Sequence, residues 1–187
     1  MARGIKTKKL ILCALFAALT AACSMISIPL PFSPVPINLA TLSVFLAGGL
    51  LGAKGGAISQ LVYVCLGAMG LPVFHNFTAG PAVLAGPTGG FLIGYIVAAF
   101  LVGLIASPKS KNPLHTGVSG SVVIALLVGL VACYALGTLW FMFVAGTSLW
   151  SALLMCVFPF LPGDTIKILL ALLLIRKLRP IVNDTIY

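Results

Sequence analysis

This chain predicts an all-α membrane protein: six transmembrane helices in one bundle, with both termini on the cytoplasmic side. Composition and charge placement carry that prediction. Hydrophobic residues make up 61% of the sequence and charged residues 7%, with a mean hydropathy of +1.22. A soluble globular domain carries about 25% charged residues. Once six spans are drawn, ten of the eleven Lys and Arg fall on one side of the membrane. By the positive-inside rule that side is cytoplasmic.

A span needs about 20 mostly apolar residues, and six runs qualify or nearly qualify: 10–28, 39–51, 56–69, 88–107, 117–145 and 162–177. Arg3, Lys6, Lys8 and Lys9 precede the first. That basic start also fits a signal peptide, but cleavage would discard four cytoplasmic charges and leave the termini on opposite sides, so the run is read as a retained span. Between the first two spans, residues 28–36 hold four prolines. Proline fixes φ and cannot continue a helix, so this segment is expected to be a stiff, extended cap. The second and third spans flank Lys54 and are short, which predicts tilting or burial among longer neighbours.

Residues 70–87 are uncharged and mix aromatics, an amide and glycines; a long apolar loop of this kind suits a lid or a binding surface. Thr88 is placed to cap the fourth span and present its free N–H groups, while Gly86, Gly90 and Gly94 repeat at the spacing of close helix packing. Lys109 and Lys111 precede the fifth span, and Arg176, Lys177 and Arg179 close the sixth. So little is left for loops that residues 1–187 read as a single integral membrane domain.

Several function classes are excluded. The positive charges flank apolar spans and form no patch interleaved with aromatics, so no nucleic acid partner is expected. The five cysteines lie in apolar runs without a CxxC and read as small buried hydrophobes, so no metal is expected. His75 and His115 are read as isolated, on opposite sides, and the chain has no glutamate. That leaves no constellation for an intramembrane enzyme. No phosphate-binding Gly-rich loop is present, so any ATP-derived energy must come from a partner.

The sharpest chemical feature is Asp164 with Lys167. The chain has two acidic residues, and Asp164 is the one away from the termini. An ionisable group at membrane depth is expensive and normally faces the bundle interior with a partner. The i, i+3 spacing puts both side chains on one helical face. The bland reading is a helix N-cap by Asp164, but a cap alone has no need of Lys167. A site for a polar ligand at the rim of the bundle explains both.

Five segments in order resemble the BioY family: Pro29–Pro36, Leu46–Gly52, Gly70–Phe74, Gly86–Gly94 and Pro162–Lys167. The Gly-Pro-Thr-Gly-Gly and Pro-Gly-Asp-x-x-Lys elements together make the likeness specific. The resemblance implies the six-helix, biotin-binding S component of an energy-coupling factor (ECF) vitamin transporter, in a prokaryotic plasma membrane. One departure is visible: the family's usual Thr-Leu-Gln is Asn38-Leu39-Ala40 here, and Asn38 offers an amide in its place.

Biotin has a flat ureido group, an apolar ring and a carboxylated tail, so its site needs acceptors, apolar walls and a tail donor. The resemblance supports Asp164 and Asn76 as acceptors. Phe74, Phe77 and Leu84 are candidate walls. Lys167, Gln60 and loop N–H groups near Gly80 and Val83 are alternatives for the tail. Tyr63 is the weakest polar candidate, since polar residues often only join helices. Biotin is the ligand and no cofactor is expected. On the first span, Ala14, Ala18 and Ala22 form a stripe at i, i+4, i+8 that permits close helix approach. The resemblance makes this the docking face for the transmembrane coupling subunit, which carries two ATPase subunits. The alternatives are packing within the bundle, and a carrier that works without ATPase partners.

Overall fold

The computed structural model describes residues 2–106 and 120–186. Lys109, Lys111 and His115 lie outside the described residues, as do the expected C-terminal end of the fourth span and the start of the fifth. The described chain is helical apart from one hairpin and short connections. Helix α1 (Ala2–Met25) leads into strands β1 (Ser27–Leu30) and β2 (Ser33–Asn38), then α2 (Ala40–Ala68), a 3-10 turn (His75–Phe77) and α3 (Pro81–Ala85). Helices α4 (Gly89–Ile105), α5 (Gly120–Ala145), α6 (Leu149–Cys156) and α7 (Leu161–Ile186) follow.

The proline-rich cap is extended, as expected, and pairs with itself. Strands β1 and β2 are antiparallel, with Ser27 opposite Asn38 and Leu30 opposite Ser33. A tight hairpin lets both strands satisfy their backbone groups where proline forbids helix. An all-helical description therefore needs this small sheet added.

The second and third expected spans are two arms of α2. Gly52 breaks the helix with φ 76° and ψ 179°, a conformation open essentially to glycine alone. Across the break, a Cβ added to Gly56 would lie 2.8 Å from the Cα of Gly48. In an unbroken helix those residues would be about 12 Å apart along the axis. The chain therefore reverses, and arm α2a (40–51) lies antiparallel against arm α2b (53–68) at backbone contact. The arms are about 18 and 24 Å long, against about 30 Å of bilayer hydrocarbon. Their burial is the highest among the long apolar helices, at 56% of the α2 window. Short helices surrounded by longer neighbours were expected here.

By length and composition α1 and α5 are each long and apolar enough to cross a membrane, the two arms of α2 reach that length only together, and α6 with α7 forms a pair bent at 54° that adds a further span. The 17-residue α4 is strongly apolar as well. Residues 149–156, which fall between the fifth and sixth expected spans, are helical, with Ser148 capping α6 by accepting from the Ser151 N–H at 3.3 Å. The last helix runs to Ile186 with Pro180 inside it, well past the expected end at 177.

Glycines set the approach of α4. A Cβ on Gly90 would sit 2.2 Å from the Trp140 Cβ, and one on Gly94 would sit 3.2 Å from the Cys133 backbone, which fits close packing in lipid. Thr88 stands at the α4 N-cap position, but its side chain makes no capping bond there. At the opposite end, the Arg179 guanidinium donates to the carbonyls of Gly49 at 3.0 Å and Ala106 at 2.5 Å. These are carbonyls near the C-terminal ends of α2a and α4, where a cation is favoured. Two apolar layers fill the bundle. One lies under the loops around Val44, Tyr63, Phe74, Tyr95 and Phe160, the other around Phe45, Leu50, Leu126 and Ile175.

The α2 reversal gives a direct test. Gly56→Leu has no space against Gly48 and should destabilise the purified protein by about 3 kcal/mol, the upper range for overpacking. Gly52→Ala meets no neighbouring atom, so it should lose only the backbone preference, about 1–3 kcal/mol. Thermal unfolding in detergent distinguishes them: a larger loss for Gly52→Ala would mean that the hairpin contact contributes little.

Candidate ligand site

Asp164 is the centre of the loop-side polar cluster. It lies in the first turn of α7, with its backbone N–H already donating to the Phe160 carbonyl at 2.8 Å. The carboxylate is therefore not an N-cap. It points inward, 1% exposed, and accepts from three helices. Lys167 Nζ reaches Oδ1 at 2.7 Å from the same helix, and Thr41 Oγ1 reaches Oδ1 at 3.2 Å from α2a. The Tyr134 hydroxyl of α5 donates to Oδ2. A buried charge is tolerable only when paired and hydrogen-bonded, and this one has both.

These residues line a cavity of about 40 Å³. Asp164, Lys167, Tyr134 and Thr41 form one wall, and His75 and Asn38 approach from the loops. Phe91, Tyr95 and Phe160 supply apolar faces. Asn38, the amide noted from sequence, also accepts from the Ala40 N–H at 3.0 Å, fixing the turn from β2 into α2a.

The other sequence candidates lie around the cavity rather than on its wall. Phe74 is fully buried and stacks edge-on against Tyr63 with ring centroids 5.6 Å apart. It fills a notch at Gly67, where an added Cβ would fall 2.1 Å from its Cζ. Asn76 is exposed and accepts from the Ser27 hydroxyl at 2.8 Å, tying the 3-10 turn to the hairpin. Phe77 is 65% exposed. Both Asn76 (φ 53°) and Phe77 (φ 58°) are left-handed, an uncommon conformation for non-glycine residues that is typical of constrained functional loops. The two candidate amide donors are already used: Gly80 N–H donates to Gly67 O at 2.8 Å, and Val83 N–H to Gly80 O at 3.2 Å. Val83 and Leu84 pack on the loop-side core.

Gln60 sits deeper. It is fully buried and donates through Nε2 to Thr20 Oγ1 at 3.1 Å. Thr20 itself donates to Phe16 O at 2.8 Å and lies 2.9 Å from the Ser43 hydroxyl. Tyr63 donates to Ser24 at 3.1 Å. Both residues join α2b to α1.

Among the lining residues, Tyr134, Thr41 and His75 escaped the sequence reading, as did Phe91, Tyr95 and Phe160. Tyr134 had a usable signal, because a lone tyrosine in an apolar span needs a partner for its hydroxyl. Thr41 had none. His75, read as isolated, lines the same cavity as the charge pair because residues 69–88 fold back over the bundle. Burial pushes its imidazole below the ordinary histidine value of 6.5.

The alanine stripe faces outward. Ala14, Ala18 and Ala22 are exposed, while Cys13, Ala17, Thr20 and Ser24 of the same helix face in. With Val62 and Leu66 of α2b the stripe borders an apolar groove of about 390 Å³.

Comparisons with known proteins identify the family and the fold. The model of the BioY family matches residues 1–184. The biotin transporter BioY of Rhizobium etli is 40% identical over 179 residues, spanning 92% of this chain and 93% of that protein. The biotin transporter BioY of Thermotoga maritima is 40% identical over 174 residues, spanning 92% and 96%. A crystal structure of the S-component for biotin from an ECF-type ABC transporter superposes with a TM-score of 0.84 at 34% identity, covering 94% of this chain and 92% of that one. A full-length family match, relatives of equal length and a shared fold lead to one conclusion: this chain is a multi-pass membrane protein of the BioY family.

Proposed function

We propose that this chain is the biotin-binding S component of an ECF transporter and mediates biotin uptake across the cell membrane. The observation that carries the proposal is the buried Asp164 carboxylate, held at the loop end of the bundle by donors from α2a, α5 and α7. An anionic acceptor oriented in this way suits the two N–H donors of a ureido ring. Lys167, Thr41 and Tyr134 hold the carboxylate in place by hydrogen bonds, and the neighbouring aromatics suit the thioether ring. Asn76, Phe74, Phe77, Leu84, Gly80 and Val83 belong to the segment that closes over this site, and Gln60 supports it from below. Ligand pockets measure about 300–1,000 Å³, far more than the 40 Å³ of this cavity. Admission of biotin therefore requires the hairpin and residues 69–88 to part.

Uptake needs an energy source this sequence lacks. The outward groove at Ala14, Ala18 and Ala22 suits a transmembrane coupling subunit, itself carrying two ATPase subunits. Small residues let helix backbones approach closely in lipid, and among the described residues the groove carries almost no polar surface.

Equilibrium titration of the purified protein with biotin tests the reading. Asp164→Ala should weaken binding about ten- to a hundredfold, since hydrogen bonds to charged groups are worth about 1.5–3 kcal/mol. Lys167→Met should also weaken it. Unchanged affinity in Asp164→Ala would reduce the aspartate to a structural role.

Docking is separable from binding. Ala18→Trp should leave biotin affinity intact while abolishing co-purification of the coupling module and ATP-dependent uptake. Lost biotin binding would mean instead that the stripe serves the bundle itself.

Orientation has its own check. A cysteine at Thr78 should be labelled from outside and one at Lys177 from inside; labelling of both from one side would overturn the six-span topology.

A further inference from the structure

The cavity wall holds a second basic residue whose chemistry the charge pair leaves unused. We propose that His75 is a ligand-recognition residue in this chain, supplying a switchable cation for the carboxylate tail of the ligand. The inference rests on the biotin reading above and deepens it.

A carboxylate entering a largely apolar site needs a compensating donor, and charge assistance makes that bond stronger. The obvious donors are taken. Lys167 is 2.7 Å from Asp164 and neutralises it, so the pair contributes no net charge to the cavity. The Gly80 and Val83 N–H groups donate to backbone carbonyls. Among the described residues no arginine lines the cavity, and His75 is its one remaining ionisable base.

Its backbone is held for the task. Thr78 donates to the His75 carbonyl through Oγ1 at 2.8 Å and through its N–H at 3.1 Å, and the Phe74 N–H donates to Thr78 O at 3.1 Å. The left-handed pair Asn76–Phe77 follows directly, anchored through Ser27. These bonds hold the backbone that places the half-buried His75 at the loop side of the cavity. The titratable and charged groups lining that cavity with it are Asp164 and Lys167 on α7, Tyr134 and Cys133 on α5, and Tyr95 on α4.

The sign of the pH effect follows. Burial holds the free imidazole below 6.5, so it is mostly neutral at pH 7. A bound carboxylate favours the imidazolium and raises its pKa in the complex. Binding then takes up a proton, and affinity increases as pH falls through the interval between the two values. The gain is complete below the free value and lost above the bound one.

Titration of the full-length protein with biotin and with biotinamide, from pH 5.5 to 8, tests this. Wild type should bind biotin about tenfold more tightly at the acid end, the difference between a neutral and a charge-assisted hydrogen bond. Biotinamide has no tail charge and should show a flat profile. His75→Gln keeps a donor but cannot be charged, so its biotin profile should also be flat. A flat wild-type profile, an equal acid gain for biotinamide, or an acid gain retained in His75→Gln would each overturn the proposal. The biotinamide comparison decides even if the variant fails to fold. No binding of biotin at any pH would overturn the functional reading, and this inference with it.

Discussion

A single buried carboxylate organises the loop end of this protein. Removing one partner from a buried ion pair leaves an uncompensated charge and typically costs about 3–5 kcal/mol. Asp164 escapes that penalty because Lys167 rises one turn away on α7, Tyr134 reaches across from α5, and Thr41 comes from the first turn of α2a. Three separate helices must pack at the right depth for those donors to converge. The same requirement fixes where the cavity lies and why its lining is polar on one wall and aromatic on the other.

Convergence of that kind depends on close backbone approach elsewhere. The reversal at Gly52 brings α2a and α2b together, with Gly48 and Gly56 in contact, so Thr41 is delivered from an arm far shorter than a full span. Gly90 and Gly94 let α4 sit against α5 near Cys133, next to Tyr134. At the far end Arg179 ties α7 to carbonyls of α2a and α4, fixing the helix that carries Asp164 from its other terminus. Lipid supplies no hydrophobic force between helices, so packing and hydrogen bonds must do this.

Much of this was legible because membrane insertion imposes simple rules. Apolar runs and basic flanks located the helices, the short second and third runs foretold burial, and the prolines of residues 28–36 foretold extended backbone. Asp164 and Lys167 stood out because charge in an apolar chain is rare. What stayed hidden depends on three-dimensional convergence. Thr41 is an ordinary threonine until α2a reverses and aims it at Asp164. His75 looks isolated until residues 69–88 fold over the bundle. The run 149–156 is too short for periodicity to separate a helix from a loop, and the basic cluster Arg176, Lys177 and Arg179 marks the end of the apolar span without marking the end of α7.

Helix α1 carries a polar inner face and an apolar outer one. Its inner face is spent on hydrogen bonds: Thr20 donates to Phe16 and accepts from Gln60, with Ser43 beside it, and Ser24 accepts from Tyr63. A hydroxyl has one proton and two lone pairs, so Thr20 is fully committed to both arms of α2. Its outer face is apolar, with Ala14, Ala18 and Ala22 forming a small-residue stripe beside the exposed Leu15 and Leu19. The inner bonds hold α1 in one rotation about its axis, and that rotation keeps the bare stripe turned to the membrane. Ser43 lies two residues from Thr41, so the helix that grips α1 is the one that feeds Asp164. The outward face and the Asp164 cluster are therefore linked through α2a by two short steps, Thr20 to Ser43 and Thr41 to Asp164.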